Sequence, residues 1–308
     1  MNKEDLRIVF LGTPEFAVES LSRLVDGGYN VVGVVTMPDK PAGRGHKMYE
    51  SPVKLYAKAH GLHLMQPAKL KDESFIAELK SLRSNLFIVI AFRMLPEVVW
   101  TMPELGTFNL HASLLPKYRG AAPINWAVIN GDTETGVTTF FLKHEIDTGD
   151  ILRQERIEIC PEDNVGSVHD KLMLLGADLT IDTVEHIIKG DLAPVAQDTL
   201  LKGAEPTPAP KIFRETCRID WTKPAVEIHN LVRGLSPYPA AWTEIDGDAL
   251  KIYATRLTDV AASSIGKIVI EGKKMFVGTC DNLLEILELQ PSGKKRMKAV
   301  DFINGHKK

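Results

Sequence analysis

Apolar positions follow three rhythms along the chain, and each rhythm predicts a different kind of element. Continuous apolar runs of strand length, Leu6–Leu11 (interrupted only by Arg7), 31–35 and 86–91, predict buried parallel strands. A helical spacing, clearest in Leu172, Leu175 and Leu179, predicts a long helix over 165–189, ended by Gly190 as a C-cap residue. Shorter helices are expected from about Glu15 after the Gly12-Thr13-Pro14 turn, from Pro52 behind an N-capping Ser51, over 72–82, and over 124–128. The third rhythm is strict alternation: in Thr107-Phe108-Asn109-Leu110-His111 the apolar residues take one face of a strand, and Asn109 and His111 share the other.

Beyond 189 the pattern changes. The segment 190–209 is proline-rich and without period, which reads as an ordered but irregular linker between domains at 1–189 and 210–308. After it comes a helix near 224–234, then short strand-like runs at 241–245, 250–254, 266–270, 275–278 and 283–289, separated by turns. Short strands at this spacing predict a small β-barrel. The fold class expected is therefore α/β with a mostly parallel sheet, followed by a barrel.

Composition narrows the function classes. With Lys+Arg 37 against Asp+Glu 40 the net charge is −3, so binding to nucleic acid through overall basicity is excluded and any such contact must be local. Cys160, Cys217 and Cys280 lie far apart without CxxC spacing, which predicts neither a zinc site nor a disulfide framework and suits a reducing cytosol. No apolar stretch approaches ~18 residues and the N-terminal run is too short for a signal peptide, so a cytoplasmic protein is expected. The Gly12-Thr13-Pro14 turn lacks GxGxxG, so a dinucleotide is not indicated. From Met37 to Met48 a basic loop rich in Gly and Pro is expected to lack regular structure; its Lys40, Arg44 and Lys47 either meet phosphates or a base edge, or are simply solvated.

The stretch from Gly106 to Asp150 carries the candidate chemistry. An amide (Asn109), an imidazole (His111) and the carboxylate of Asp147, in the turn Ile146-Asp147-Thr148-Gly149-Asp150, suit acyl transfer to an amine. Such a reaction builds a negative oxygen and a positive nitrogen together: Asn109 and protonated His111 stabilise the first, and Asp147 holds the imidazolium and relays the amine's proton. The plainer reading of a strand histidine, a satisfied core or surface residue, stands beside it. His144, next to Glu145 at a turn, reads as a surface residue.

The motifs Asn109-x-His111, Ser113-Leu114-Leu115-Pro116-x-x-Arg119-Gly120 and Asp147-Thr148-Gly149-Asp150 stand in the order found in the folate-dependent formyltransferases, which the chain resembles over essentially its whole length. Its resemblance is greatest to the branch that formylates methionine esterified to initiator tRNA. This resemblance implies a Rossmann-like catalytic domain with an OB-like barrel, Asn109, His111 and Asp147 as catalytic residues, 10-formyltetrahydrofolate as donor, and no metal. It further implies that Thr13-Pro14-Glu15-Phe16 lies near the acceptor's side chain, and that the loop holding Lys40, Arg44 and Lys47 meets the tRNA acceptor end, with Arg44 foremost. Ser113, Leu114, Leu115 and Pro116, with Phe92, Met94 and Leu95, are expected to line the folate pocket, because both segments leave strands at one sheet edge. Lys294 and Lys295, near the last barrel strand, are expected to add tRNA affinity or to be a solvated tail. Two departures from the family pattern are visible: Phe92-Arg93 stands where Tyr-Gly is common, in a segment one residue shorter, and Glu145 replaces a usual glycine. The alternative acceptor is an amino sugar nucleotide, whose formyltransferases share the same three residues and a barrel. A monomer is expected.

Overall fold

The apolar runs become inner strands in the parallel part of a mixed sheet. The computed structural model describes residues 1–42, 47–201, 203, 205–245 and 247–306. They fall into two units that interleave along the chain: Met1–Gly120 with Gly136–Ile157 and Asp170–Pro208, and Ala121–Thr135 with Glu158–His169 and Ala209–Lys308.

In chain order the elements up to the first site are β1 (Arg7–Gly12), α1 (Glu15–Asp26), β2 (Asn30–Val35), β3 (Lys40–Ala42), β4 (Lys47–Tyr49), α2 (Pro52–Ala59), β5 (Leu64–Met65), α3 (Glu73–Ser81), β6 (Leu86–Ile90), α4 (Glu97–Trp100), β7 (Thr107–His111) and β8 (Arg119–Gly120). There follow α5 (Pro123–Ile129), β9 (Glu134–Phe141), β10 (Ile151–Glu158), α6 (Val165–Lys189), α7 (Gln197–Leu201) and β11 (Pro208–Ala209). The main sheet has the order β10-β9-β7-β6-β1-β2-β5. Pairing is parallel from β5 through β7, and β9 then runs antiparallel to β7.

This order places the site. The chain moves outward from β1 through β2 to β5 and returns to β6 on the other side of β1, so the strand order reverses at the β1/β6 boundary. Ligand crevices in such sheets lie outside the carboxyl ends of the strands at that reversal. Gly12 ends β1 opposite Ile90 of β6, and a Cβ there would stand 2.7 Å from Ala17 Cβ, so only glycine lets α1 start so close to the sheet. Ala91, the residue after β6, has φ 48°, which turns the chain sharply at the same edge.

Two local expectations are met in detail, and several elements were not anticipated, among them a short ladder and two helices. Ser51 Oγ accepts from Lys54 N at 3.1 Å with Pro52 at the first helical position, and Gly190 closes α6 with φ 70°. The loop expected to be irregular instead contains the β3/β4 ladder, with Lys40 opposite Tyr49 and Pro41 opposite Met48. Its entry is held by the buried Lys54, which pairs with Asp39 and, at 2.8 Å, with Glu50, while Gln66 donates to Met37 O and Asp39 Oδ1. The expectation for Gly43, Arg44, Gly45 and His46 lies outside the described residues. Helix α7 lies inside the proline-rich 190–209 segment. A last helix, α9 (Ala299–His306), follows the basic run near the end.

In the second unit, α8 (Ala225–Leu235) precedes β12 (Ala241–Ile245), β13 (Asp248–Ala261), β14 (Ile268–Glu271), β15 (Lys274–Gly278), β16 (Asn282–Pro291) and β17 (Met297–Lys298). The sheet is antiparallel in the order β12-β13-β16-β15-β14, with β17 on β16. Register shifts at Ile252/Ala254, Ala254/Thr255 and Leu257/Ala261 along β13 are the bulges that coil a long strand. Its core joins Ile228, Val232 and Leu235 of α8 to Ile252, Val277, Leu284 and Ile286. Helix α5 packs against α8: Gly234 leaves so little room that a Cβ would lie 2.5 Å from Ile129 Cγ1, and Asn125 Nδ2 donates to Gly234 O at 2.8 Å. Among the described residues no helix is long and apolar enough to cross a membrane.

Candidate active site

Strand β7 delivers the first two candidates. Phe108 and Leu110 are buried on one face, as the alternation predicts, and Asn109 and His111 occupy the other. Asn109 is half-buried opposite Phe140 of β9, and its amide makes no hydrogen bond to another described residue. His111 is buried, packed edge-on against the Phe140 ring at 6.4 Å between centroids. Its Nε2 lies 2.8 Å from Tyr118 O. A carbonyl only accepts, so Nε2 carries a hydrogen and Nδ1 is the ring atom left to face the site. That atom stands 3.8 Å from Asp147 Oδ2.

Asp147 reaches this position through an unusual backbone. Its φ is 54°, a left-handed conformation that Asp and Asn adopt more readily than other side chains. Gly120 N donates to Oδ2 at 2.9 Å, and Gln197 Nε2 donates to Asp147 O at 2.9 Å and to Gly149 O at 2.8 Å. The Gly149 of the Asp-Thr-Gly-Asp motif has a steric reason: a Cβ there would fall 1.5 Å from Phe141 O, so the loop passes the β9 end with no room for a side chain. The two side chains that the sequence singled out thus lie close together, and nothing in the sequence hinted at what holds them. The Tyr118-Arg119-Gly120 turn does so, with Tyr118 itself at φ 62°.

The two segments expected to line a pocket leave neighbouring strands β6 and β7 at the same edge. Their side chains divide. Leu115 packs with Phe140 and Ile151, and Leu95 packs with Val89 and Val99, so both are core residues. Ser113 is buried, its Oγ donating to Lys117 O at 2.7 Å while its carbonyl accepts from Thr138 Oγ1 at 2.6 Å. Leu114 lies over Gly136, and Pro116 is half-buried. Phe92 is half-buried and Met94 is 74% exposed, an apolar side chain turned to open space. Arg93 donates to Ala68 O at 2.9 Å and to Pro67 O; its Nε is buried without a partner among the described residues, and burial lowers its pKa. Thr13 Oγ1 is likewise buried and unpartnered there. Buried polar atoms without a partner are uncommon, and water or a bound molecule can satisfy them.

His144 is exposed, as its sequence context suggests, and pairs with Glu97 at 3.2 Å. Lys40 is exposed on β3, whereas Arg44 lies outside the described residues and Lys47 is described only as part of the β4 ladder. Lys294 and Lys295 are exposed in the turn between β16 and β17. The same unit carries a basic and aromatic face that the sequence reading passed over: the guanidinium groups of Arg214 and Arg218 lie 5.1 and 5.5 Å from the Trp242 ring centroid, and Lys211 Nζ lies 5.6 Å from that of Phe213. Lys-x-Phe-Arg followed by a second Arg was the available signal.

A family model described as formyl transferase matches residues 6–184, and a second, formyl transferase C-terminal domain, matches residues 211–307. The chain belongs to the formyl transferase family. It is similar to proteins named methionyl-tRNA formyltransferase from Bacteroides fragilis, at 59% identity over 99% of this chain and 96% of that one, and from Phocaeicola vulgatus, at 61% over 100% and 98%. Among solved structures it resembles the sugar 3N-formyl transferase WlaRD, crystallised in the presence of dTDP and 5-N-formyl-THF, with TM-score 0.68 and 19% identity over 94% of this chain and 99% of that one. HypX from Aquifex aeolicus in complex with tetrahydrofolic acid gives TM-score 0.66 and 17% identity over 97% of this chain; the formyl transferase chain described here spans about half of that protein, 47%. These distant matches establish a shared fold.

Proposed function

We propose that this chain transfers the formyl group of 10-formyltetrahydrofolate to the free amino group of methionine esterified to initiator tRNA, giving N-formylmethionyl-tRNA for translation initiation. The observation that carries this reading is the similarity to methionyl-tRNA formyltransferases through the whole length, sheet unit and antiparallel unit alike. A single chain supplies every proposed catalytic group, so the working unit proposed is a monomer in the cytoplasm, where charged initiator tRNA is used.

The chemistry follows from the geometry around Asp147. The amine lone pair attacks the formyl carbon, and the carbonyl π electrons move onto its oxygen. Asn109 Nδ2 and the Nδ1–H of His111 imidazolium are the donors assigned to that oxyanion. Asp147, 3.8 Å from Nδ1, stabilises the imidazolium and takes the proton released by the attacking amine. The oxygen's electron pair then re-forms the carbonyl as the bond from carbon to N10 breaks, and N10 takes up the proton, leaving tetrahydrofolate and a formamide. Phe92 and Met94, with the backbone of 113–116, are proposed to contact the folate. Lys40, Arg44, Lys47, Lys294 and Lys295 are proposed to meet tRNA, together with the Arg214, Arg218 and Trp242 face.

The deciding experiment gives purified protein 10-formyltetrahydrofolate with either methionyl initiator tRNA or an amino sugar nucleotide. Formylation of the tRNA at a kcat/KM at least about 100-fold above that of the sugar is expected. The reverse preference would transfer the assignment to the sugar nucleotide class.

A further inference from the structure

We propose that Gln197 is a positioning residue of the formyl-transfer site, acting through the backbone of Asp147; the inference rests on the catalytic role assigned to Asp147 above. Gln197 begins α7, in the stretch whose composition suggested only a connection, yet it is 2% exposed. Its amide orientation is determined by its partners. Oε1 accepts from Arg119 Nε at 3.0 Å and Nη2 at 2.8 Å, and a guanidinium only donates. Nε2 therefore faces Asp147 O and Gly149 O and donates to both. All four hydrogen-bonding positions of the side chain are used.

Those two carbonyls bracket the loop that aims the carboxylate. Asp147 holds φ 54°, and in a less constrained loop the extended conformation would swing its side chain away from His111. On the opposite side the close approach of Gly149 to Phe141 O blocks retreat toward β9. The loop is thus fixed between Gln197 and the sheet, while Gly120 N fixes the carboxylate itself. Arg119 and Gly120 are consecutive, so one dipeptide controls Asp147 by two routes: main chain through Gln197, and side chain directly.

The test uses the full chain with Gln197→Met, which keeps shape and loses every hydrogen bond, and Gln197→Glu, which keeps the acceptor for Arg119 but has no hydrogens for the two carbonyls. Both variants are expected to lose about 10- to 100-fold in kcat, the scale of an ångström-level misplacement, with KM for tRNA and donor within about twofold of wild type. Amide hydrogen exchange should rise across 145–150. In an Asp147→Asn background, Gln197→Met should cost nothing further, since it acts only through the carboxylate. Equal losses in both backgrounds, or normal turnover per folded molecule in both single variants, would overturn the proposal and leave Gln197 a structural residue. Wild-type turnover in Asp147→Asn itself would instead remove the catalytic reading on which it rests.

Discussion

The backbone N–H of Gly120 donates to Oδ2 of Asp147 across 2.9 Å, tying the turn that follows β7 to a residue beyond β9. A hydrogen bond to a charged acceptor is worth about 1.5–3 kcal/mol, enough to bias a short loop toward one conformation. Two residues earlier the same turn offers Tyr118 O to His111 Nε2. The imidazole and the carboxylate are therefore set by one turn, and their separation is a property of that turn more than of either strand.

His111→Ala and Asp147→Asn are each expected to lower kcat by about 100-fold or more, the size of an acid-base or oxyanion contribution. Far-UV circular dichroism should be unchanged, because neither side chain belongs to an apolar core cluster. Turnover close to wild type in either variant removes that residue from the mechanism.

Folate contact is expected at two separated segments, 91–95 and 112–116. Saturating 10-formyltetrahydrofolate, or an unreactive analogue, should slow amide exchange in both. Protection of neither means that the donor binds elsewhere. Leu95 and Leu115, being core residues, should reveal themselves differently: Leu→Ala at either is expected to cost about 2–5 kcal/mol of stability.

Arg44→Ala is expected to reduce kcat/KM for methionyl initiator tRNA more than for methionine-charged elongator tRNA, with donor affinity unchanged. Replacing Lys294 and Lys295 by alanine should weaken both tRNAs alike and flatten the salt dependence, since phosphate contacts act mainly through counterion release. An unchanged initiator preference in Arg44→Ala, measured at fixed salt, contradicts the assignment.

Acid should weaken the antiparallel unit through His229. Burial, with Arg233 adding to it, lowers its pKa below 6.5, and Nδ1 lies 2.8 Å from Thr255 Oγ1. As pH falls through 6.5 the unfolded chain takes up this proton before the folded one does, so stability is lost toward acid, and above 6.5 this group adds no slope. Tm should fall less between pH 7.5 and about 5.5 in His229→Gln than in wild type. Identical pH profiles would show that His229 is not the group responsible.

Much of the fold was legible because burial writes itself as apolar runs, as in β1 and β6, and because caps such as Ser51-Pro52 are local chemistry. Strands β9 and β10 were not, for a physical reason visible in β9. Thr138 and Thr139 are fully buried there, satisfied by Ser113 O and by Thr183 Oγ1, so core positions carried polar letters. His111 and Asp147 stood out in the sequence by the company of their motifs, and the structure sets them 3.8 Å apart. Gln197 did not stand out, since one amide in a proline-rich stretch becomes meaningful only when the chain brings it to the carbonyls of Asp147 and Gly149.

Interleaving of the two units has a consequence for synthesis. Helix α5 is made early, but the α8 against which it packs begins only at Ala225, after β9, β10 and α6 have been laid down. The second unit cannot finish folding until nearly the whole chain exists, and contacts that close so long a loop are slow to form. A chain stopped in the proline-rich segment would leave the Gly234 surface of α5 bare, so an arrested or truncated product is expected to be sticky and protease-sensitive instead of a working half.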